Sequence, residues 1–133
     1  LHICMPKVFR LSEQYLIRAE ARANQKNYSG ASKDLSDLRR ARFQGGNGSI
    51  SVSEQNWLEI IEEERVRELY MEGFRLQDLK RWHKGFERKP QEQSLTNGSS
   101  LKIEADDVRF VWPIPKHELE SPGSQIQPNE SNK

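Results

Sequence analysis

The sequence is poor in cysteine and has no long apolar run. Cys4 is the only cysteine in 133 residues, so no disulfide can form within the chain. Its apolar runs are far shorter than the roughly 20 residues that a membrane-spanning helix needs. No sign of charge is in excess either: 21 basic and 20 acidic side chains give a net charge of +1, too little to attract nucleic acid broadly. We therefore expect a soluble chain with no nucleic-acid partner.

Motifs that carry catalysis or bind metal are also missing. His2, His83 and His117 are isolated, and none is paired with another ligand at the spacing of a zinc site. The glycine-rich segment 44–51 lacks the lysine and the preceding strand of a phosphate-binding loop, and no Gly-x-Ser-x-Gly elbow is found. We predict that the protein is not an enzyme and has neither a cofactor nor a metal site.

What the sequence does contain is helical periodicity. A length of 133 residues suits one domain, and apolar side chains recur at a period of about 3.6 through most of the first 84 residues. The turn 26–30 separates two such patterns, which predicts an antiparallel pair similar to a tetratricopeptide unit. The predicted fold is all-α, with about four helices in tetratricopeptide-like pairs within a core of residues 1–84; the helices lie near 7–25, 29–42, 53–72 and 74–84.

After the helices the periodicity disappears. We predict a surface loop over 85–107, followed by an irregular segment over 108–133 that packs on the helices. The stretch VRFVWPIP (108–115) is predicted to be a short extended piece, since Pro113 and Pro115 do not suit a helix interior.

The periodicity also predicts which side chains point inward. In the first helix the inward face would carry Val8, Leu11, Tyr15, Ala19 and Ala23, and in the second Ala31, Leu35, Leu38 and Arg42. We interpret Trp57 and Trp82 as core residues in preference to aromatic side chains that stack on a ligand.

The stretch from Trp57 to Trp82 places charges where apolar residues should be. Its inward stripe begins with Leu58 and Ile61 but continues with charged side chains. Burying a single ion is costly, so inward charges must be paired. We predict a structural charge network that joins the third and fourth helices, with Gly73 at positive φ between them; its members are Glu64, Arg65, Glu68, Glu72, Arg75, Asp78 and Arg81.

Other readings of these charges exist. Two of the carboxylates could serve as general acid and base, but this needs one raised pKa in a cleft, and the sequence selects no such pair. Arg39, Arg40 and Arg42 could contact phosphate, although cations are also favoured at the end of a helix. We favour the structural reading in both cases.

Four blocks, in the order FRLSEQYLIRAEA, ASKDLSDLRRARF, EEERVRELYMEGFRLQDLKRW and VWPIPKHELESPGSQIQPN, resemble the C-terminal part of SusD/RagB-type proteins. The helical signature of that family is matched by Glu64, Arg65, Glu68, Leu69, Glu72, Gly73, Arg75, Asp78, Leu79, Arg81 and Trp82, and its late extended motif by Pro113, Ile114, Pro115 and Glu118. The ending departs from the family pattern, because Ser121 precedes Pro122 and Gln127-Pro128-Asn129 replaces the closing motif.

The resemblance implies a function in nutrient capture. SusD/RagB-type proteins are non-enzymatic surface lipoproteins of Bacteroidetes that bind glycans or other nutrients and partner a SusC-type TonB-dependent porin. It also implies an outer-membrane, cell-surface location through a lipidated N-terminal cysteine outside the present sequence. Since the chain does not begin with Met, we expect it to be part of a longer protein. The ligand-binding residues of the family lie mostly upstream, so the resemblance assigns none here.

The sequence leaves two hypotheses for function. In the first, the chain is the C-terminal portion of a glycan- or nutrient-binding lipoprotein that delivers its ligand to a TonB-dependent transporter. In the second, it is a helical-repeat scaffold that mediates protein–protein interaction.

Overall fold

The computed structural model describes residues 9–45, 47–89 and 101–132. The chain divides into two compact units, the first ending at Phe74 and the second beginning at Arg75. The first unit contains helices α1 (Leu11–Asn24), α2 (Tyr28–Arg42) and α3 (Trp57–Glu68). The second contains helix α4 (Arg75–Arg81), strands β1 (Phe86–Glu87) and β2 (Lys102–Ile103), and helix α5 (Lys116–Leu119), with short 3₁₀ helices at Val108–Phe110 and Glu130–Asn132. The predicted all-α class with a short extended piece is confirmed.

A short turn joins α1 to α2. Lys26 adopts a left-handed φ of 62°, and its N–H donates to the Ala23 carbonyl at 2.9 Å. The N–H of Asn27 donates to the Arg22 carbonyl at 2.8 Å, which completes a Schellman end of α1. Asn27 also begins α2, because its Oδ1 accepts the Gly30 N–H at 2.9 Å. One residue thus both closes α1 and caps α2, and the two helices turn back on each other.

The core of the first unit lies where α1 packs against α2 and α3. Leu16, Leu35 and Ile61, one from each helix, are fully buried. Ala19 and Ala31 are also fully buried, and such small side chains let helix backbones approach closely. Burial of Ala31, Leu35 and Leu38 follows the face predicted for α2, but Arg42, predicted on the same face, is exposed.

The face predicted for α1 is only partly correct. Leu11 is 74% exposed, whereas Ser12 and Leu16 are buried together with the predicted Ala19 and Ala23. The buried stripe therefore runs through Ser12 and Leu16 instead of Leu11 and Tyr15, and the predicted Val8 lies outside the described residues. Because this stripe contains a serine and two alanines, it gives a weaker apolar signal than the stripe through Leu11.

Helix α3 is shorter than the predicted 53–72. Residues 54–56 form a turn, in which Asn56 Oδ1 accepts the Ser53 N–H at 2.7 Å before the helix begins at Trp57. The helix ends at Glu68 because Met71 already has a left-handed φ of 63°. Gly73 has a φ of 85°, which confirms the positive φ predicted for it.

In the second unit, α4 covers less than the predicted 74–84. It closes at His83, whose φ is 53°, and the Lys84 N–H donates to the Leu79 carbonyl at 2.9 Å. The grouping of this helix with the first three in one core over 1–84 stays a prediction. Trp57 and Trp82, the predicted core tryptophans, are each partly exposed within their own units.

The predicted surface loop 85–107 contains a strand pair. Antiparallel β1 and β2 place Phe86 opposite Ile103 and Glu87 opposite Lys102. Gly85, the residue before β1, lies very close to the backbone of β2. A Cβ atom there would be 2.1 Å from the Ile103 carbonyl oxygen. Residues 90–100 of the predicted loop lie outside the described residues.

The extended segment around Pro113 is held by asparagine side chains. Asn132 accepts the Ile114 N–H at 3.0 Å and donates to the Ile114 carbonyl at 2.8 Å, so its amide replaces a strand neighbour. Asn129 donates to the Trp112 carbonyl at 3.0 Å. Residues 108–110 are 3₁₀-helical instead of extended, because Asp107 caps them by accepting the N–H of residue 109.

Candidate functional site

The most concentrated polar feature of the first unit is an arginine–carboxylate cluster. Arginines from the start of α1 and from α2 meet carboxylates on α3 and in the turn after it. Helical spacing explains the arrangement: Glu64 and Glu68 lie one turn apart on α3, and Arg39 and Arg42 lie nearly one turn apart on α2, so two complementary rows face each other. The cluster comprises Arg10, Arg39, Arg42, Arg67, Glu63, Glu64, Glu68 and Glu72.

Glu68 is the centre of this cluster. Its two carboxylate oxygens accept a bidentate pair from Arg42, with Nε at 2.9 Å and Nη2 at 2.6 Å. Arg10 Nη1 lies 3.1 Å from the same carboxylate, and Arg10 Nη2 donates to the Glu68 carbonyl at 2.6 Å. Hydrogen bonds from Arg42, helped by the charges of Arg42 and Arg10, lower the pKa of Glu68 to about 2. Arg10 also pairs with Glu72 at 2.7 Å, which ties the start of α1 to the end of α3.

Glu64 is the second central carboxylate of the cluster, one turn before Glu68 on α3. Its side chain is only 6% exposed and accepts hydrogen bonds from Arg39 and Arg67. Arg67 donates in addition to Glu63 at 2.7 Å, a pair one turn apart on the exposed side of α3. Two guanidinium groups compensate this buried carboxylate, which removes most of the cost of burying it.

The other predicted network residues are Arg65 in the first unit and Arg75, Asp78 and Arg81 in the second. Arg65 is buried, and its guanidinium lies 5.9 Å from the centre of the Phe74 ring. In the second unit, Asp78 is buried and accepts from Arg81 at 3.0 Å. Arg75 is exposed at the first position of α4. The predicted link between these residues and α3 stays a prediction.

Sequence reasoning missed most of the arginine partners. It placed Arg42 on the inward face of α2 without a partner and interpreted Arg39 as a helix-terminal or solvated cation, although both arginines hold carboxylates of α3. It also missed Asp34, which is 1% exposed and receives Arg18 at 2.7 Å and Arg22 at 2.8 Å. Asp34 precedes the fully buried Leu35 and lies one helical turn after Ala31, and this position on the inward face was the available signal.

A cleft opens beside the cluster. Its volume is about 200 Å³, and it lies where the end of α2 faces α3. Phe43, the first residue after α2, contributes an aromatic ring that is 59% exposed. We call it the α2–α3 cleft; its lining comprises Leu38, Arg39, Arg42, Phe43, Glu64, Arg67 and Glu68.

The charges of the cluster are better suited to binding a ligand or stabilising the fold than to transferring a proton. A general acid at neutral pH needs a raised pKa, but the pKa of Glu68 is lowered, so this carboxylate stays ionised. Across residues 9–45, 47–89 and 101–132, no group of three His, Cys, Asp or Glu side chains is placed to hold a metal ion. None of the helices in these ranges is both long enough and apolar enough to cross a bilayer.

Comparison with known proteins identifies the family. Neither the curated proteins nor the solved structures give a significant match. A family model described as the SusD family matches residues 5–130, which confirms the resemblance carried by the four sequence blocks. That family comprises nutrient-binding proteins rather than enzymes. Since the match covers nearly the whole sequence, the chain belongs to the SusD family.

Proposed function

We propose that the chain is the C-terminal portion of a cell-surface glycan- or nutrient-binding lipoprotein that delivers its ligand to a SusC-type TonB-dependent porin. The single observation that carries this proposal is the family match over residues 5–130. The location in this proposal is the outer membrane of a Bacteroidetes cell, reached through a lipid anchor upstream of the present sequence. Ligand capture, and not catalysis, is the task of the whole protein.

Within that protein the arginine–carboxylate cluster holds three helices together. It connects Arg10, before α1, to Glu68 and Glu72 across more than 50 residues of sequence, and it connects α2 to α3 through Glu64 and Glu68. Such bonds fix the relative positions of three helices, which is what a frame for ligand-binding loops requires. A tetratricopeptide unit is a pair of antiparallel helices joined by a short turn. The hairpin of α1 and α2 supports such an architecture, and its turn is short because one asparagine both ends the first helix and begins the second.

Two measurements on the protein in its native membrane test the proposal. Affinity purification from mildly solubilised outer membranes should recover a TonB-dependent porin, and a glycan array followed by calorimetry should identify a saturable ligand. A matched purification from cells in which the porin gene is deleted is the control for non-specific recovery. Absence of both a porin and a ligand would refute the proposal.

The scaffold hypothesis is favoured by one surface feature. The outer side of α1 exposes Leu11 and Ile17, and with Tyr15 and Arg18 they border a shallow depression of about 320 Å³. Exposed apolar patches of this kind mark protein contacts in many proteins. If scaffolding is the task, Leu11→Ser should abolish partner recovery without changing glycan binding.

A further inference from the structure

The α2–α3 cleft is lined by arginines that use only some of their hydrogen-bond donors. Arg39 and Arg42 each use Nε and Nη2 to hold a carboxylate. Their Nη1 groups have no protein acceptor among the described residues, and an Nη1 group carries two N–H donors. Arg39 is 29% and Arg42 50% exposed, so these donors can reach a molecule in the cleft. The cleft therefore offers fixed donors for an acceptor-rich ligand.

Glu64 and Glu68 make these donors rigid. A bidentate pair holds the guanidinium plane in one orientation, so little side-chain entropy is lost when a further group binds. Three guanidinium groups and two carboxylates line the cleft, and Arg67 is also paired with Glu63 at 2.7 Å. The Nη1 donors of Arg39 and Arg42 suit a ligand that carries a carboxylate, because hydrogen bonds between a guanidinium group and a carboxylate are charge-assisted.

Phe43 supplies a different kind of contact. Phe43 lines the cleft and is 59% exposed, so its ring is accessible to a flat apolar surface. The face of an aromatic ring is negative and attracts weakly positive C–H groups, which the apolar side of a pyranose ring presents. A volume of about 200 Å³ is below the range of roughly 300–1,000 Å³ for drug-sized ligands, so the space fits one ring instead of a chain.

We propose that the α2–α3 cleft binds a single pyranose ring that carries a carboxylate, that is, a uronic-acid residue. Phe43 stacks on the ring, and the Nη1 groups of Arg39 and Arg42 donate to the carboxylate and hydroxyl oxygens. This inference rests on the proposed function in glycan capture and adds to it a binding position and a preference for acidic sugar.

Titration calorimetry on the full 133-residue chain tests this inference, with D-glucuronate as the probe. D-glucose is the neutral control with the same ring, and acetate is the control with a carboxylate and no ring. We expect glucuronate to bind at least ten-fold more tightly than either control. Equal affinity for glucose would overturn the charge preference, equal affinity for acetate would overturn the role of the ring, and no binding of glucuronate would overturn the site.

A pair of phenylalanine variants locates the binding. Phe43→Ala should weaken glucuronate binding about five-fold, as expected for the loss of one aromatic contact. Phe9→Ala is the matched control, since Phe9 is 79% exposed and does not line the cleft; it should leave the affinity unchanged. Circular dichroism establishes that both variants keep their helices. Unchanged affinity for glucuronate in Phe43→Ala refutes the cleft assignment alone, whereas a protein with neither glycan ligand nor porin refutes the proposed function.

Discussion

Replacing Glu68 by glutamine removes the central negative charge of the arginine–carboxylate cluster while keeping the side-chain shape. The pKa of Glu68 falls from 4.5 to about 2 in the folded protein, which corresponds to about 3 kcal/mol of preferential stabilisation of the ionised form. Its main partner Arg42 is 50% exposed, so solvent screening reduces this value. We expect Glu68→Gln to lower the free energy of unfolding by about 2 kcal/mol at pH 7.

The dependence on pH separates this charge effect from loss of packing. Because the folded pKa of Glu68 is depressed, its contribution is fully present above the unfolded pKa near 4.5 and is lost as the pH falls toward about 2. The difference between wild type and Glu68→Gln should therefore be constant from pH 7 to pH 5. At pH 3 less than about half of it should remain.

Urea denaturation followed by circular dichroism, repeated from pH 7 to pH 3, measures both effects. Glu59→Gln is the matched control, because Glu59 is an exposed carboxylate on the same helix. That substitution should change stability by less than about 0.5 kcal/mol. The reasoning fails if Glu68→Gln behaves like this control at pH 7, or if its effect is as large at pH 3 as at pH 7.

Three other substitutions test separate parts of the fold by the same denaturation assay. Asp34→Asn should cost about 2 kcal/mol, because a side chain that is 1% exposed loses its charge-assisted bonds to two arginines, while these arginines, 53% and 32% exposed, stay hydrated; an unchanged stability would contradict this. Asn27→Ala should cost about 1 kcal/mol through loss of the α2 cap, and an unchanged midpoint would show that the cap is dispensable. Gly85→Ala should destabilise the second unit by roughly 1–3 kcal/mol, since its Cβ would lie 2.1 Å from a backbone oxygen; a neutral result would mean that the strand pair shifts at little cost.

Some local features were predictable because a short stretch of sequence specifies them. Gly73 adopts the predicted positive φ, since glycine has no Cβ to oppose that conformation. Leu35 and Leu38 are buried as predicted, because large apolar side chains give a clear helical period. Leu11 was wrongly placed inside, and the reason is that the actual stripe through Ser12 and Ala19 consists largely of small side chains.

Helix ends were harder to predict than helices. The left-handed conformation of Met71 ends α3 early, and His83 does the same after α4. Methionine does not favour positive φ, and histidine, although enriched there among non-glycine residues, adopts it uncommonly, so no strong local propensity indicated these ends. The strand pair β1–β2 was also missed, because each strand has only two residues and shows no alternation that a pattern search could detect.

The sequence by itself determined the helical class, the turn between α1 and α2, and membership of the SusD family, because each depends on local spacing or on an ordered set of motifs. It also indicated that charges would lie on the inward face of α3. Only the tertiary structure decided which partners these charges have. Arg10 reaches Glu68 across 58 residues of sequence, and Arg42 reaches it across 26. Such pairs follow from the packing of whole helices, and no spacing rule within one helix can specify them.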